Sequence, residues 1–370
     1  MQCKRLSLGW LVTCLLGMSG GPAWGADPPP VPRLEESVRL SAALEFCGEP
    51  VPLDNPEVRE RMEKELLLSL WDRDQAVLWL KRSTRYLPQI EKMLSRAGLP
   101  DDLKYVALAE SALRPHAGSS KGAIGFWQFL PETGRRYGLI VNEAIDQRRN
   151  LVASTKAAIA YLSALYEKFG SWSLSVTAFN MGEEGLLAEI MAQDVRDFYR
   201  LYLPLETQRY LFRILSAKLI LSDPEQYGFF LKAEDYYLPL KFTSVELTCW
   251  EETSLTVVAG AARTDFKRIK DLNPELRGHY LAAGTFTLAI PEGAATDFQA
   301  RFQTLHQEWV TQRNNRVYIV RPGDNLSTIA EQFRVPLPAI LIWNRLDLNR
   351  PIHPGDRLII YPADEDAGER

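Results

Sequence analysis

The sequence contains few of the residues that bind metals or form disulfides. Its 370 residues include only four cysteines and four histidines. The histidines lie far apart, and neither an HExxH nor a CxxC motif occurs. Because metal enzymes usually show such ligand spacing, we expect no metal ion and no other cofactor.

The chain also lacks a strong excess of either charge. Lys and Arg number 43 against 47 Asp and Glu, which gives a formal net charge of −4. We therefore do not expect nucleic acid as a partner. With 46% hydrophobic and 24% charged residues, the composition is that of a globular protein of about two or three domains.

Long apolar runs are absent except at the N-terminus. Lys4 and Arg5 precede an apolar run over residues 6–18 that is too short to span a bilayer. Together with the small residues that follow, this pattern predicts a signal peptide over residues 1–25. Cys14 lies within the run rather than after it, so a lipid anchor is not expected. The mature protein is predicted to be periplasmic, in the cell envelope, without a transmembrane span.

Export bears on the two cysteines that the mature chain keeps, Cys47 and Cys249. An oxidising compartment permits a disulfide between them. They are distant in sequence, so the sequence leaves open whether they meet.

The first half of the mature chain is predicted to be helical. Residues 26–53 are rich in proline and are predicted to form a linker. Apolar residues at three- and four-residue spacing then predict a helical N-terminal extension over residues 54–99 and a helical domain over residues 100–222. Because the helices of the extension are amphipathic, we expect them to pack on that domain.

The composition changes after residue 236, where short β-branched stretches begin. Residues 316–362 predict a strand, two helices and a strand, a βααβ unit. Residues 236–292 predict a weaker copy, with its first strand at 254–258, so the two modules form an internal repeat. A helical linker over residues 293–315 joins them, and the acidic tail at 363–370 is predicted to be disordered.

Glu110 is the most informative residue of the helical domain. In the helix predicted around it, Glu110 shares one face with apolar residues at positions 103, 106, 107 and 113. Burial disfavours an ionised carboxylate and raises its pKa, as a general acid requires near neutral pH. An ion pair with Arg114, one turn later, is the structural alternative.

Four short motifs follow one another in this domain. They are Glu110-Ser111; a glycine-rich segment with Ser119, Gly125 and Gln128; Thr177-Ala178-Phe179-Asn180-Met181-Gly182; and residues 203–211, which contain Tyr210. In this order they resemble the soluble lytic transglycosylase family, and residues 316–362 are similar to LysM, a peptidoglycan- and chitin-binding module. The resemblance implies a multidomain protein, with an all-α, goose-lysozyme-like catalytic domain followed by small α+β (βααβ) modules of LysM type.

The same resemblance implies which residues form the site, with Glu110 as the only catalytic acid. The expected substrate-binding residues are Ser119, Gly125, Trp127, Gln128, Phe179, Asn180 and Tyr210. Tyr210 could hydrogen-bond the Glu110 carboxyl and orient it. Trp127 could stack on a pyranose ring, although a tryptophan in an all-α domain belongs equally often to the core. Gln128 and Asn180 could bind sugar hydroxyl and acetamido groups, or bridge backbone groups instead.

In the LysM-like module, the expected glycan-binding residues are Gly323, Asp324, Asn325 and Asn344. Asp324 could equally cap the helix that begins at Leu326. The weaker copy has Ala259-Gly260-Ala261-Ala262 where we expect the Gly-Asp turn, so its role could be structural.

The resemblance also implies the reaction. Most glycosidases use two carboxylates, whereas this family uses one and relies on the N-acetyl group of its substrate. Glu110 would protonate the glycosidic oxygen between N-acetylmuramic acid and N-acetylglucosamine, and would then accept the proton of the muramoyl C6 hydroxyl, leaving a 1,6-anhydro end. The expected partners are peptidoglycan glycan strands. Association with the cell wall or outer membrane is possible, and the sequence does not give the oligomeric state.

Two alternatives stay open at this point. A hydrolytic muramidase would need a second acid, for which the candidates are Glu132, Asp146, Glu183 and Glu184. A non-catalytic, wall-binding scaffold is suggested by the third motif alone, which has Phe179 where the family usually has tyrosine. Its glycines, Gly182 and Gly185, are also three residues apart instead of two.

Overall fold

The structure is a computed structural model that describes residues 32–40, 44–349 and 351–361. The predicted signal peptide (1–25) and the predicted disordered tail (363–370) lie outside the described residues.

The chain enters the helical domain through a short helix and a hairpin. Helix α1 is Leu34–Ser37, and strands β1 (Glu45–Phe46) and β2 (Glu49–Pro50) pair antiparallel. The apolar residues at positions 44, 46, 51 and 53 are buried in the core of the helical domain. Residues 44–53, which the sequence assigned to a linker, are therefore part of the folded domain, because their apolar side chains alternate on the face that meets the helices.

In the described part of the helical domain, eight α-helices follow the hairpin. They are α2 (Pro56–Trp71), α3 (Arg73–Arg96), α4 (Lys104–Ser111), α5 (Pro131–Arg136), α6 (Leu151–Phe169), α7 (Trp172–Met181), α8 (Glu183–Gln193) and α9 (Leu205–Ser222). One hydrophobic core contains buried residues of α2 and α3 together with those of α4, α6, α7 and α9. The extension at 54–99 thus packs on the helices after residue 100, as its amphipathic pattern predicts.

A carboxylate of the hairpin caps a helix more than a hundred residues later. Glu49 accepts hydrogen bonds from the Ser171 hydroxyl at 3.0 Å, from the Ser173 amide at 3.0 Å and from the amide of Trp172. These groups form the N-terminus of α7, whose unpaired N–H groups and dipole favour an anion. The hairpin is therefore tied to the helix that carries the third motif.

The first βααβ module lies after the helical domain. Strand β3 (Phe242–Cys249) pairs antiparallel with β6 (Gly284–Pro291) along its whole length, and the short β4 (Thr253–Ser254) pairs with β5 (Tyr280–Leu281). Helices α10 (Leu255–Ala261) and α11 (Phe266–Leu272) share one hydrophobic core with β3 and β6.

The predicted strand at 254–258 is wrong. Most of this segment belongs to α10, because the Ser254 hydroxyl accepts a hydrogen bond from the amide of Thr256 and caps a helix that buries Leu255 and Val258. The β-branched residues that suggested a strand lie in a helix whose tertiary packing overrides their propensity. The first strand of the module begins earlier, at Phe242.

The second module has the predicted order. Helix α12 (Phe298–Asn314) precedes β7 (Val317–Ile319), α13 (Leu326–Gln332), α14 (Leu337–Asn344) and β8 (Arg357–Ile359), and β7 pairs antiparallel with β8.

An asparagine at the end of the second helix fastens each module in the same way. Asn344 donates to the carbonyls of Ile340 and Ile359 at 2.9 and 2.8 Å and accepts from the Ile359 amide at 2.6 Å. Asn273 makes the same three bonds, donating at 2.8 Å to Ile269 and to Ala289 and accepting from the Ala289 amide at 2.7 Å. This shared hydrogen-bond pattern supports the predicted repeat.

The repeat also fixes which turns correspond. Ser254 caps α10 as Asn325 caps α13, so the turn that matches residues 321–324 is residues 250–253. The assignment of the matching turn to residues 259–262 is therefore wrong, since most of that segment lies inside α10. The sequence Trp250-Glu251-Glu252-Thr253 stands there instead, and it still lacks a Gly-Asp pair.

The first module is bonded to the helical domain through backbone groups. The Asp146 amide donates to the Glu275 carbonyl at 2.8 Å, and the Arg277 amide donates to the Ala144 carbonyl at 2.9 Å. The Asn150 side chain adds a hydrogen bond to the Glu275 carboxylate at 2.9 Å. In the described part of the chain, none of the helices combines the length and apolarity that a membrane crossing requires.

Candidate active site

Glu110 lies in the last turn of α4. Leu103, Val106 and Ala107 on the same face are fully buried, as the sequence stripe predicts. The helix ends directly after Ser111, because Ala112 and Leu113 adopt left-handed backbone angles, with φ of 51° and 58°. The chain therefore turns away and leaves the Glu110 carboxyl facing α9.

The Glu110 carboxyl accepts a hydrogen bond of 2.5 Å from the hydroxyl of Tyr210, a residue of α9 that is 1% exposed. Burial raises the pKa of Glu110 to about 7, although the Tyr210 hydrogen bond and the charge of Arg213 oppose the rise. Burial likewise holds the pKa of the Tyr210 hydroxyl well above its usual value. The pair therefore has the geometry and the protonation of a poised general acid.

The structure rejects the ion pair that was the alternative for Glu110. The Arg114 guanidinium instead donates to the backbone carbonyl of Ser111 at 3.1 Å. Among the described residues, the charges that shift the pKa of Glu110 are those of Arg213, which lowers it, and Glu206, which raises it.

Glu206 and Arg213 are site residues that the sequence reasoning missed. They form a salt bridge of 2.9 Å on α9 and flank Tyr210 at positions i, i+4 and i+7 of one helix face. Neither residue is among those that the resemblance implied for the site. Their helical spacing around Tyr210 was the signal that could have identified them.

The glycine-rich segment forms a loop that packs closely on the residues after α5. Gly125 has a φ of 87°, and a Cβ atom there would lie 1.8 Å from the carbonyl oxygen of Arg148. Gly125, which was expected among the substrate-binding residues, is thus required by contact with the protein itself. Arg148 also donates to the carbonyls of Gly122 and Phe129, at 2.9 and 3.1 Å, and holds both ends of the loop.

Gln128 and Ser119 bridge backbone groups within this loop. The Gln128 amide donates to the carbonyls of Ala117 and Gly125 at 3.1 and 2.8 Å. The Ser119 hydroxyl accepts from the Ala123 amide at 3.1 Å. The backbone-bridging alternative therefore accounts for the Gln128 nitrogen, while its carbonyl oxygen has no hydrogen bond from the described residues, and the side chain is partly exposed.

Trp127 belongs to the core and cannot stack on a sugar in this structure. Its side chain is 0% exposed, and the indole N–H donates to the Thr155 hydroxyl at 3.0 Å. The expectation that Trp127 binds substrate by stacking on a pyranose ring is therefore wrong. The residue contributes by anchoring the loop between Gly125 and Gln128 to helix α6.

The third motif has a one-residue turn between α7 and α8. Gly182 makes this turn with φ 93° and ψ 141°, which only glycine adopts readily, and Glu183-Glu184 begin α8. Gly185 therefore lies inside α8, and a glutamate occupies the place of the second family glycine.

The other third-motif residues border the site. Phe179 packs against Trp127, Phe129 and Tyr161, with ring centroids 6.5, 5.8 and 5.2 Å apart. Asn180 accepts a hydrogen bond of 3.2 Å from the hydroxyl of Thr207 on α9. Both side chains are partly exposed, so they can contact a ligand as well as the protein.

The four candidates for a second acid are engaged elsewhere or exposed. Asp146 pairs with the buried Arg148 at 2.8 Å; although burial opposes it, Arg148 holds the pKa of Asp146 below its usual range. Glu183 pairs with Arg136, Glu184 pairs with Lys168, and Glu132 is exposed. None of them contributes to the pKa shift of Glu110.

In the second module, Gly323 adopts a φ of 92° in the turn after β7. Asp324 accepts from the Arg321 amide at 2.7 Å and the Tyr318 hydroxyl at 2.8 Å, so it closes the turn. Asn325, and not Asp324, is the residue that caps α13. Asn344 uses both its amide hydrogens and its carbonyl in the fastening described above.

Cys47 and Cys249 are both free thiols in the structure. Cys47 lies in the hairpin turn, and its amide donates to the Asp102 carboxylate at 2.7 Å. Cys249 is buried in the first module. In residues 32–40, 44–349 and 351–361, no His, Cys, Asp and Glu side chains form a group arranged for a metal ion.

Comparison with known proteins finds two domain families in this chain. Residues 88–200 match the transglycosylase SLT domain, and residues 318–360 match the LysM domain. The solved structure of the 70 kDa soluble lytic transglycosylase SLT70 from Escherichia coli matches at 19% identity over 47% of this chain and 32% of that chain, with a TM-score of 0.34.

Two curated proteins are similar in sequence. A putative tributyltin chloride resistance protein of Alteromonas sp. (strain M-1) is 31% identical over 31% of this chain and 56% of its own length. Membrane-bound lytic murein transglycosylase D of Escherichia coli (strain K12) is 32% identical over 332 residues, which cover 85% of this chain and 72% of that protein. The chain therefore belongs to the family of membrane-bound lytic murein transglycosylase D, with an SLT domain and a LysM glycan-binding domain.

Proposed function

We propose that this lytic transglycosylase cleaves the β-1,4 bond between N-acetylmuramic acid and N-acetylglucosamine without water, with Glu110 as the only acid and base. The observation that carries the proposal is the partly buried carboxyl of Glu110, with a pKa raised to about 7 and a hydrogen bond of 2.5 Å from Tyr210. A carboxyl that is half protonated near neutral pH can donate a proton and then accept one.

The reaction has two proton transfers through the same carboxyl. Glu110 first gives its proton to the glycosidic oxygen, and the bond from that oxygen to C1 of the muramoyl residue breaks. The N-acetyl oxygen of that sugar stabilises the cationic C1. The C6 hydroxyl then forms a bond to C1 while its proton returns to Glu110, which leaves a 1,6-anhydro ring and a protonated enzyme.

Tyr210 holds the acceptor oxygen of Glu110 in place during both transfers. Its hydroxyl stays protonated, because burial holds its pKa well above the usual value. A tyrosine that remains a donor stabilises the Glu110 carboxylate after the first transfer without giving up its own proton. Arg213 adds a positive charge that favours the same state.

We infer that the loop and the third motif bind the sugar beside Glu110. The Gln128 carbonyl oxygen can accept from a sugar hydroxyl or acetamido N–H, and the Asn180 amide can donate to a sugar oxygen. Ser119 and Gly125 would act by shaping the loop, and Phe179 would cover one side of the ring. Rigid support of this loop by Arg148 fits the need to keep the C6 hydroxyl in line with C1.

The remaining parts of the proposal concern delivery of the enzyme to its substrate. We infer export through the signal peptide at 1–25, cleavage inside the cell envelope, and binding of glycan by the LysM module at 316–362 through Gly323, Asp324 and Asn325. Asn344 would support that module from inside. Binding to the wall raises the local concentration of strands at Glu110.

Mass spectrometry of the muropeptides released from purified peptidoglycan tests the reaction. Wild-type protein is expected to release anhydromuropeptides, and Glu110→Gln is expected to release none. Glu206→Gln is the matched control, because it removes the carboxylate whose charge acts on Glu110 and should keep the anhydro product. Reducing-end products that disappear with Glu206→Gln would instead identify a hydrolase with Glu206 as the second carboxylate.

A further inference from the structure

An open cleft of about 380 Å³ lies where the first module, helix α12 and the LysM module meet. Aromatic rings from all three units line it: Phe266, His279 and Tyr280 from the first module, Trp309 from α12, and Trp343 and Tyr361 from the LysM module. Its size lies within the range of small-ligand sites. No role in the proposed reaction accounts for these six rings.

The polarity of the cleft selects one class of ligand. None of the residues that line the cleft is Asp, Glu, Lys or Arg. Three guanidinium groups lie beside it, those of Arg313, Arg316 and Arg345, over the rings of Trp309, Tyr361 and Tyr280 at 5.2, 5.0 and 4.9 Å from the ring centroids. Ser254 and Thr256 contribute neutral hydroxyl groups to the lining, and these lie 2.7 Å apart. Flat apolar faces beside neutral hydroxyls fit a neutral pyranose chain, which presents CH faces to rings and hydroxyl or acetamido groups to polar atoms.

Ion pairs connect the three units beside the cleft. Glu252 of the first module pairs with Arg313 of α12 at 3.7 Å and with Arg345 of the LysM module. The Arg345 guanidinium also lies 4.9 Å from the ring centroid of Tyr280. These contacts fix the distance between the modules, so a ligand does not have to pay for bringing them together.

The rings themselves are ordered by contacts within each unit. Phe266 stacks on His279 with centroids 5.2 Å apart, and Trp343 meets Tyr361 edge to face at 5.2 Å. Trp309, Tyr280 and Trp343 are partly exposed rather than buried. Arg313 and Arg345 lie over one face of Trp309 and of Tyr280, so a ligand would contact the remaining exposed surface of these rings. Exposed aromatic rings that are already ordered are typical of binding sites. In a simple contact between two modules, these apolar groups would be buried.

We propose that this cleft is a second glycan-binding site, for a β-1,4-linked N-acetylhexosamine strand, built jointly by the first module, α12 and the LysM module. It is separate from the turn at 323–325, which lines no part of the cleft. The first module lacks the Gly-Asp turn, and in this proposal it binds glycan through Phe266, His279 and Tyr280 instead. The inference rests on the proposed function in that it takes glycan as the ligand.

The test uses the full mature chain carrying Glu110→Gln, so that glycan is bound but not cleaved, and tetra-N-acetylchitotetraose as the probe. Calorimetric titration is compared for Tyr280→Ala, for Trp343→Ala and for Thr256→Arg, which places a long charged side chain in the cleft from an exposed position and removes no ring. The matched control is Trp250→Ala, because Trp250 is 89% exposed and lies outside the lining.

Loss of one stacking ring should weaken Kd about three- to tenfold, and Trp250→Ala should leave it unchanged. Hydroxyl-radical footprinting should show that the sugar protects Trp309 and Trp343 from oxidation but not Trp250. Unchanged binding and unchanged protection in Thr256→Arg, which does not depend on the packing of any ring, would overturn the proposal. So would loss of binding only in a variant of the turn, Asp324→Ala.

The two proposals fail in different ways. If the wild-type chain releases anhydromuropeptides while the cleft variants bind the tetrasaccharide normally, only the second site is refuted. If the wild-type chain neither releases muropeptides nor binds the tetrasaccharide, the proposed function is refuted with it.

Discussion

Replacing the proposed acid should make the protein more stable at alkaline pH. In the folded protein the pKa of Glu110 is raised from 4.5 to about 7 by burial. Between these values the folded state holds one proton more than the unfolded state, so the free energy of unfolding falls as the pH rises through that interval. Above pH 7 the folded protein carries the whole cost of a buried charge, and Glu110→Gln removes it.

The size of the effect follows from the shift. Each pKa unit corresponds to about 1.36 kcal/mol, so the cost at pH 8 is about 2–3 kcal/mol once the partial exposure of the carboxyl is allowed for. For a domain of the size of the helical one, this corresponds to a rise of about 4–10 °C in Tm for Glu110→Gln. At pH 4.5 the two proteins should unfold alike, because Gln resembles the protonated acid and still accepts the Tyr210 hydrogen bond.

Thermal unfolding followed by far-ultraviolet circular dichroism, whose signal comes mainly from the helical domain, measures the difference at pH 4.5 and pH 8. Glu132→Gln is the matched control, because it removes an exposed carboxylate from the same domain and should show no such pH-dependent gain. Equal stabilisation at both pH values would show that packing and not charge is responsible. A loss of stability at pH 8 would refute the idea that Glu110 is held at a cost.

Three further outcomes are expected. Arg213→Gln should raise the pKa of Glu110 and move the alkaline limb of the pH–activity profile upward, and Glu206→Gln should move it downward; movement in the same direction would contradict the charges assigned here. Tyr210→Phe should lower the rate of muropeptide release about tenfold or more with little change in substrate affinity, since it removes a hydrogen bond to a charged group; a change in KM alone would argue for a binding role. Gly125→Ala should lower the free energy of unfolding by about 3 kcal/mol or more in urea titrations, because its Cβ would meet the Arg148 carbonyl, and an unaffected protein would show that the loop can yield.

The sequence was sufficient for the features that depend on local spacing. The buried face around Glu110 and the βααβ order of the LysM module follow from periodicity. The Tyr210 hydrogen bond joins residues 100 positions apart and was expected from the family resemblance alone. Features that depend on tertiary contact were beyond it. Trp127 has the same identity in a core as on a sugar-binding face, and only packing against α6 decides between them.

Tertiary packing also explains the errors in the first module and the hairpin. Residues 254–258 have strand propensity but form a helix, because the Ser254 cap and the core next to β3 favour it. Residues 44–53 are apolar in alternation, yet the prolines nearby suggested a linker. Glu206 and Arg213 share a helix face with Tyr210, but their effect on the pKa of Glu110 depends on the packing of α9 against α4.

The Glu49 cap has a practical consequence for dissecting this enzyme. The SLT match begins at residue 88 and ends at residue 200, so a fragment cut to those limits would contain Glu110 but neither Glu49 nor Tyr210. Such a fragment would leave the amides at the start of α7 uncapped and the proposed acid without its donor. The unit that folds is wider than the unit that is recognisable by comparison, and a truncated enzyme should therefore keep the hairpin at 44–53 and the helix at 205–222.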